Sequence, residues 1–131
     1  MDSGDVRRWF DEYLGAFAAC GRGEKDTITL LDYYGVPLLL STEDGFFALT
    51  TEDQVVAMLR HQVDGLLAAG YDHTEILDAH VTVWNSTSAV YRGTFSRQRA
   101  DGAEIGRVTT SYLVTDGAAG RRTSVLAVHS S

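Results

Sequence analysis

Near Thr74 the hydrophobic period of this chain changes from three or four residues to two, and that change constrains its fold more than any other feature. A helix buries residues spaced three and four apart, whereas a half-buried strand buries every second one. After the change, Leu77, Ala79, Val81 and Val83 alternate with Asp78, His80, Thr82 and Trp84. Asn85-Ser86 reads as a tight turn, and Ala89, Tyr91, Gly93 and Phe95 then alternate with Val90, Arg92, Thr94 and Ser96. Asp101-Gly102 is a hairpin signal. Ile105 to Thr115 reads as a third long strand, with Val108, Thr110, Tyr112 and Val114 on one face. Asp116-Gly117 opens the next turn, and Thr123 to Ser130 closes an antiparallel meander of four long strands.

The first half keeps the helical period. Ser3 is placed to cap a helix, and Trp9, Phe10, Tyr13, Leu14, Phe17 and Cys20 form its apolar stripe, with Gly21 and Gly23 as the stop. Asp26 caps a second helix carrying Ile28, Leu30, Leu31 and Tyr34, which Gly35 and Pro37 end. Val36 to Leu40 reads as a buried strand, Glu43-Asp44-Gly45 as a turn and Phe46 to Leu49 as its short return. Thr51 followed by Gln54 is a capping box for a third helix, with Val55, Leu59, Val63, Leu66 and Leu67 on one face. At 131 residues the chain has room for one core, so residues 1–131 are expected to form one domain. The predicted class is α+β: three N-terminal helices packed into a strongly curved antiparallel sheet of four long strands and a short hairpin, together a cone-shaped roll.

Charge narrows the partners. The net charge is −7 and no basic stripe is present, which argues against nucleic acid and anionic membrane surfaces. No apolar run approaches the roughly 20 residues that span a bilayer. Met1 to Asp5 lacks the positive and then apolar pattern of a secretory leader. Cys20 is the single cysteine, so no intramolecular disulfide can form. A cytoplasmic protein is the expectation from these features.

The order helix, helix, short hairpin, helix, four long strands resembles the nuclear transport factor 2-like (SnoaL-like) superfamily over essentially the whole chain. Tyr13-Leu14-Gly15-Ala16-Phe17 is similar to the middle of that family's first helix. Gly23 to Asp26 and Leu30 to Tyr34 are similar to its second, and Thr51 to Val55 to the start of its third. Tyr33 to Thr50 and Tyr91 to Val114 look most like an uncharacterised actinobacterial group. The resemblance implies a pocket between the concave sheet face and the helices, in a superfamily that holds isomerases, cyclases, dehydratases, epoxide hydrolases and non-enzymatic binders. Fold alone does not choose among these.

The resemblance also assigns positions. Tyr13 falls where steroid isomerases carry an oxyanion-binding tyrosine, and the late-strand acid of that branch falls on Thr110. The nearest carboxylates to its base position are Glu43 and Asp44, both in the hairpin turn. His129 shares a period-two face with Thr123, Val125 and Ala127, which by family comparison is the concave face, and a histidine there is suited to acid–base work near neutral pH. Tyr91 is placed to donate into the same space, so His129, Tyr91 and Tyr13 are the catalytic candidates. Trp9, Tyr13, Tyr91, Phe95, Thr110, Tyr112, Val125 and Ala127 are the candidate ligand contacts. No metal-ligand spacing, phosphate loop or nucleophile elbow appears, so no metal or cofactor is expected. Trp84, Val90, Arg92, Thr94, Leu126 and Val128 are assigned to the outer sheet face, which reads as a homodimer interface. The expected function is binding of a small apolar molecule, with cofactor-free isomerase, cyclase or dehydratase chemistry as one extension. A non-catalytic binder, or a homodimeric interaction protein whose cone is filled by its own side chains, is the alternative.

Overall fold

The structure is a computed structural model that describes residues 1–130. Helix α1 spans Ser3–Gly21 and is capped by Asp2, whose carboxylate accepts from the Asp5 N–H at 2.8 Å. The cap is thus one residue earlier than Ser3. The short second helix expected after Asp26 is a 3-10 helix, Thr27–Asp32, capped by Asp26. It is shorter than its apolar pattern suggested because Tyr34 already opens strand β1, Tyr34–Thr42, and Gly35 and Pro37 lie within that strand. Pro37 is tolerated because it falls in a gap of the ladder. Pairing to the last strand skips from Tyr34 to Leu39, and pairing to β2 begins at Leu38. Strand β2 is Gly45–Leu49.

Helix α2, Glu52–Ala68, begins with the expected side-chain exchange. Thr51 accepts from the Gln54 N–H at 3.2 Å, and Gln54 Oε1 accepts from the Thr50 N–H at 2.7 Å. Gly70, at φ +81, turns the chain out of it. The four long strands follow as β3 (Tyr71–Asn85), β4 (Ser88–Arg99), β5 (Glu104–Gly117) and β6 (Gly120–Val128). They form one sheet in the order β2-β1-β6-β5-β4-β3. Every joint is antiparallel except β1 against β6, which is parallel. This closes the meander against the hairpin and gives the α+β roll its six strands.

The core lies between the sheet's concave face and the helices. Val6, Phe10, Tyr13, Phe17 and Cys20 of α1, and Val55, Leu59, Val63 and Leu66 of α2, meet Ala89, Tyr91 and Phe95 of β4, Tyr112 and Val114 of β5 and Leu126 of β6. The register of β6 departs from simple alternation. Val114 faces Thr123, but Leu113 faces Val125, so Ser124 is an extra residue, a β-bulge. Thr123 points into the core at 2% exposure, and beyond the bulge the inward positions become Leu126 and Val128. Val125, Ala127 and His129 therefore lie on the outer face, opposite to the expectation. Leu126 and Val128, assigned from the sequence to the outer face, lie on the inner one.

Candidate functional site at the mouth of the cone

Three tyrosines meet inside the cone. Tyr13 comes from the middle of α1, Tyr34 from the start of β1 and Tyr112 from β5. The Tyr13 and Tyr34 hydroxyls are hydrogen-bonded at 2.5 Å, and the Tyr112 ring stands 6.1 Å from that of Tyr13. Burial drives the acidity of all three phenols down, with pKa values well above the usual tyrosine range. They are neutral hydrogen-bonding groups near neutral pH.

A cation stands over this cluster. Continuing the inward series Tyr91, Gly93, Phe95 along β4 leads to Arg97, which is half-buried. Its guanidinium lies 5.3 Å from the centroid of the Phe17 ring, and Phe17 in turn touches Tyr13 and Tyr71. With its amide oxygen turned inward, Gln62 of α2 accepts from Arg97 Nη1 at 3.2 Å and Nη2 at 2.9 Å. The positive charge opposes the rise in pKa that burial imposes on Tyr13, Tyr34, Tyr71 and Tyr112. Above it opens a groove of about 240 Å³ walled by Leu66, Ile105 and Val108, with Gly106 and Arg107 at its edge. Arg97 did not emerge among the sequence candidates, although extending the period-two pattern of β4 by one step identifies it.

The sequence candidates are dispersed. Tyr91 is stacked beneath Phe10, ring centroids 3.7 Å apart, and its hydroxyl feels the charges of Asp11 and Arg7 of α1. Burial pushes its pKa up to about 12. Phe95 folds back over Gly93, occupying the space that a side chain at that position would need. Thr110 is buried at 4% exposure beside this aromatic layer, and Trp9 packs at its edge against Tyr33 at 5.6 Å. Val125 and Ala127 lie on the outer face because of the Ser124 bulge. His129 is exposed there, with Nε2 2.7 Å from Ser111 Oγ. Tyr13 and Tyr91 thus stand in the packed interior, and His129 stands on the outer face.

Other depressions are larger but differ in kind. One of about 440 Å³ lies at the end of β6, beside Thr94, Thr109 and His129. Another of about 520 Å³ runs between β1 and the β5–β6 turn. A third, of about 260 Å³, reaches Tyr34 past Leu31 and Glu52. The mouth groove alone among these four joins an apolar wall to an inward cation.

An open-mouthed α+β cone with an aromatic interior defines the class, and comparison with known proteins agrees. The chain belongs to the family described as NTF2-like protein (DUF6841), whose model matches residues 2–131. No curated protein matches the chain. Among solved structures it is similar to an NTF-2 like protein of unknown function from Shewanella oneidensis, with TM-score 0.69, 13% identity and coverage of 98% of each chain. It is also similar to an NTF2-like protein with a cystatin-like fold from Novosphingobium aromaticivorans, with TM-score 0.68, 17% identity and coverage of 97% of this chain and 80% of that one. A domain of unknown function with a cystatin-like fold from Nostoc punctiforme gives TM-score 0.69 at 16% identity, over 97% of this chain and 75% of that one. At these identities the likeness is one of fold. No helix among the described residues is long and apolar enough to cross a membrane.

Proposed function

We propose that this protein is a small-molecule-binding module whose ligand enters at the mouth of the cone, between α2 and the β4–β5 strands. The observation that carries this reading is the groove in which Leu66, Ile105 and Val108 present an apolar wall beside open space at Gly106. Binding is favoured over catalysis because the titratable candidates do not converge. The Tyr13 hydroxyl is engaged by Tyr34, Tyr91 is covered by Phe10, and His129 lies across the sheet. Cofactor-free isomerase, cyclase or dehydratase chemistry would have to run on the phenols of Tyr13, Tyr34 and Tyr112 alone. The fully packed ring layer deeper in the cone supports a ligand held at the mouth rather than engulfed. The test is native mass spectrometry of protein purified from its producing cells. A retained organic molecule released on denaturation is the expected result. Protein that carries none, and that no member of a library of small apolar compounds shifts, would refute the reading.

The protein is also proposed to act as a homodimer through the outer sheet face, which carries Trp84 at 61% exposure on β3 and Val90, Arg92 and Thr94 along β4. The single cysteine, Cys20, is free and buried, which suits the reducing cytoplasm where we place it.

A further inference from the structure

We propose that the mouth groove takes the carboxylate of a small amphipathic monoanion, with Arg97 as its cation and Leu66, Ile105 and Val108 as the wall for its apolar part. This rests on the small-molecule reading above and names the ligand class. A guanidinium turned toward the core side of a sheet is costly unless it is paired. Among the described residues, none of the ion pairs includes Arg97. The chain has 18 acidic side chains against 11 basic ones, so scarcity of acids does not explain this. The partners Arg97 does have, the Phe17 face and the Gln62 amide, hold it in place without neutralising it. Gln62 takes two of its five N–H groups, which leaves donors for a carboxylate.

The space beside Arg97 is also open. Gly106 stands directly across the β4–β5 ladder from it, and a Cβ built there meets nothing within 4 Å. The groove's 240 Å³ corresponds to about eight water volumes at roughly 30 Å³ each, room for a carboxylate and a short tail. A single charge is indicated because the other arginine at the groove, Arg107, is already paired with Glu104 at 3.1 Å.

The experiment is titration of the ¹⁵N-labelled protein with hexanoate and, separately, with the uncharged hexanamide, followed at the amides of Gly106 and Val108 and at Arg97 Nε. Hexanoate is expected to move these signals and to bind about tenfold more tightly than the amide, the order of one charge-assisted hydrogen-bonded contact. Arg97→Met, which keeps the aliphatic stem over Phe17, should erase that preference. Gly106→Val, whose side chain enters open space, should abolish the response to both probes while the rest of the spectrum is retained. Equal affinity for acid and amide would overturn the anion assignment and leave the small-molecule reading standing. No movement at the groove with either probe would overturn both.

Discussion

The hydroxyls of Tyr13 and Tyr34, 21 positions apart in sequence, donate and accept one hydrogen bond deep inside the cone and tie the middle of α1 to the first residue of β1. Removing one partner leaves the other hydroxyl buried without its bond, which costs about 1–3 kcal/mol. Tyr13→Phe and Tyr34→Phe should each destabilise the fold by about that amount. The double variant should fall short of the sum by about 1 kcal/mol, because the second change removes a group the first had already orphaned. Urea unfolding of the four proteins measures this coupling. Strict additivity would show that the two phenols act independently.

The same burial sets a pH dependence. Tyr13, Tyr34 and Tyr112 have folded-state pKa values raised above the usual value near 10, chiefly by desolvation of the phenolate. In the unfolded chain they ionise near pH 10, while the folded chain holds them neutral. Their contribution is fully present below about pH 10 and is lost as pH rises beyond it, by up to about 1.4 kcal/mol per pH unit for each such group. Urea midpoints from pH 8 to pH 11 should fall steeply above pH 10, and less steeply in Tyr34→Phe. A slope unchanged in that variant would remove Tyr34 from the account.

Gly93 is required by a ring. A Cβ at this position would stand 2.4 Å from Phe95 Cζ, and Phe95 is only 2% exposed, so the ring has nowhere to retreat. Gly93→Ala should therefore destabilise by about 1–3 kcal/mol through overpacking. The variant Gly93→Ala/Phe95→Leu, which withdraws the ring, should lose less than the sum of its parts in thermal or urea unfolding. Full additivity would mean that the glycine serves curvature alone.

The outer face gives a separate prediction. Trp84 projects from β3 at 61% exposure, on a face that no helix covers. Trp84→Asp should convert a dimer into a monomer, read as a halving of molar mass in light scattering at tens of micromolar. A wild-type protein that is already monomeric there would refute the proposed interface.

The fold was legible because it is written in periods. The change near Thr74, the turn pairs Asn85-Ser86 and Asp101-Gly102 and the Thr51–Gln54 box each map onto an observed boundary. Local signals failed where tertiary pairing overrode them. Tyr34 fits the helical spacing of Ile28 to Leu31, yet it pairs with Thr123 in a parallel ladder that no nearby residue announces. The site was less legible. Arg97 was one step beyond a pattern already recognised, but a charge at an inward position reads as the end of a strand until Phe17 and Gln62 are seen against it. The outward turn of His129 could not be read at all, since period-two counting assumes an unbroken strand and Ser124 carries no mark of a bulge.

That bulge makes the sharpest test of the structure. Without it, Val125 and Ala127 would be core residues and Leu126 would be exposed. With it, Leu126 is 6% exposed against Tyr112 in the neighbouring strand, while Ala127 pairs outward with Ser111. Leu126→Ala should cost about 2–4 kcal/mol, the range for a buried leucine. His129→Ala, which removes only an exposed contact to Ser111, should stay within about 0.5 kcal/mol. Deleting Ser124 should be milder than Leu126→Ala, because it removes only the extra residue and leaves Thr123 opposite Val114, Val125 opposite Leu113 and Leu126 inward against Tyr112. Urea unfolding of the three variants decides it. If Leu126→Ala is neutral and the deletion is as damaging as a one-residue slip, β6 runs unbroken, and His129 returns to the concave face as a candidate for chemistry there.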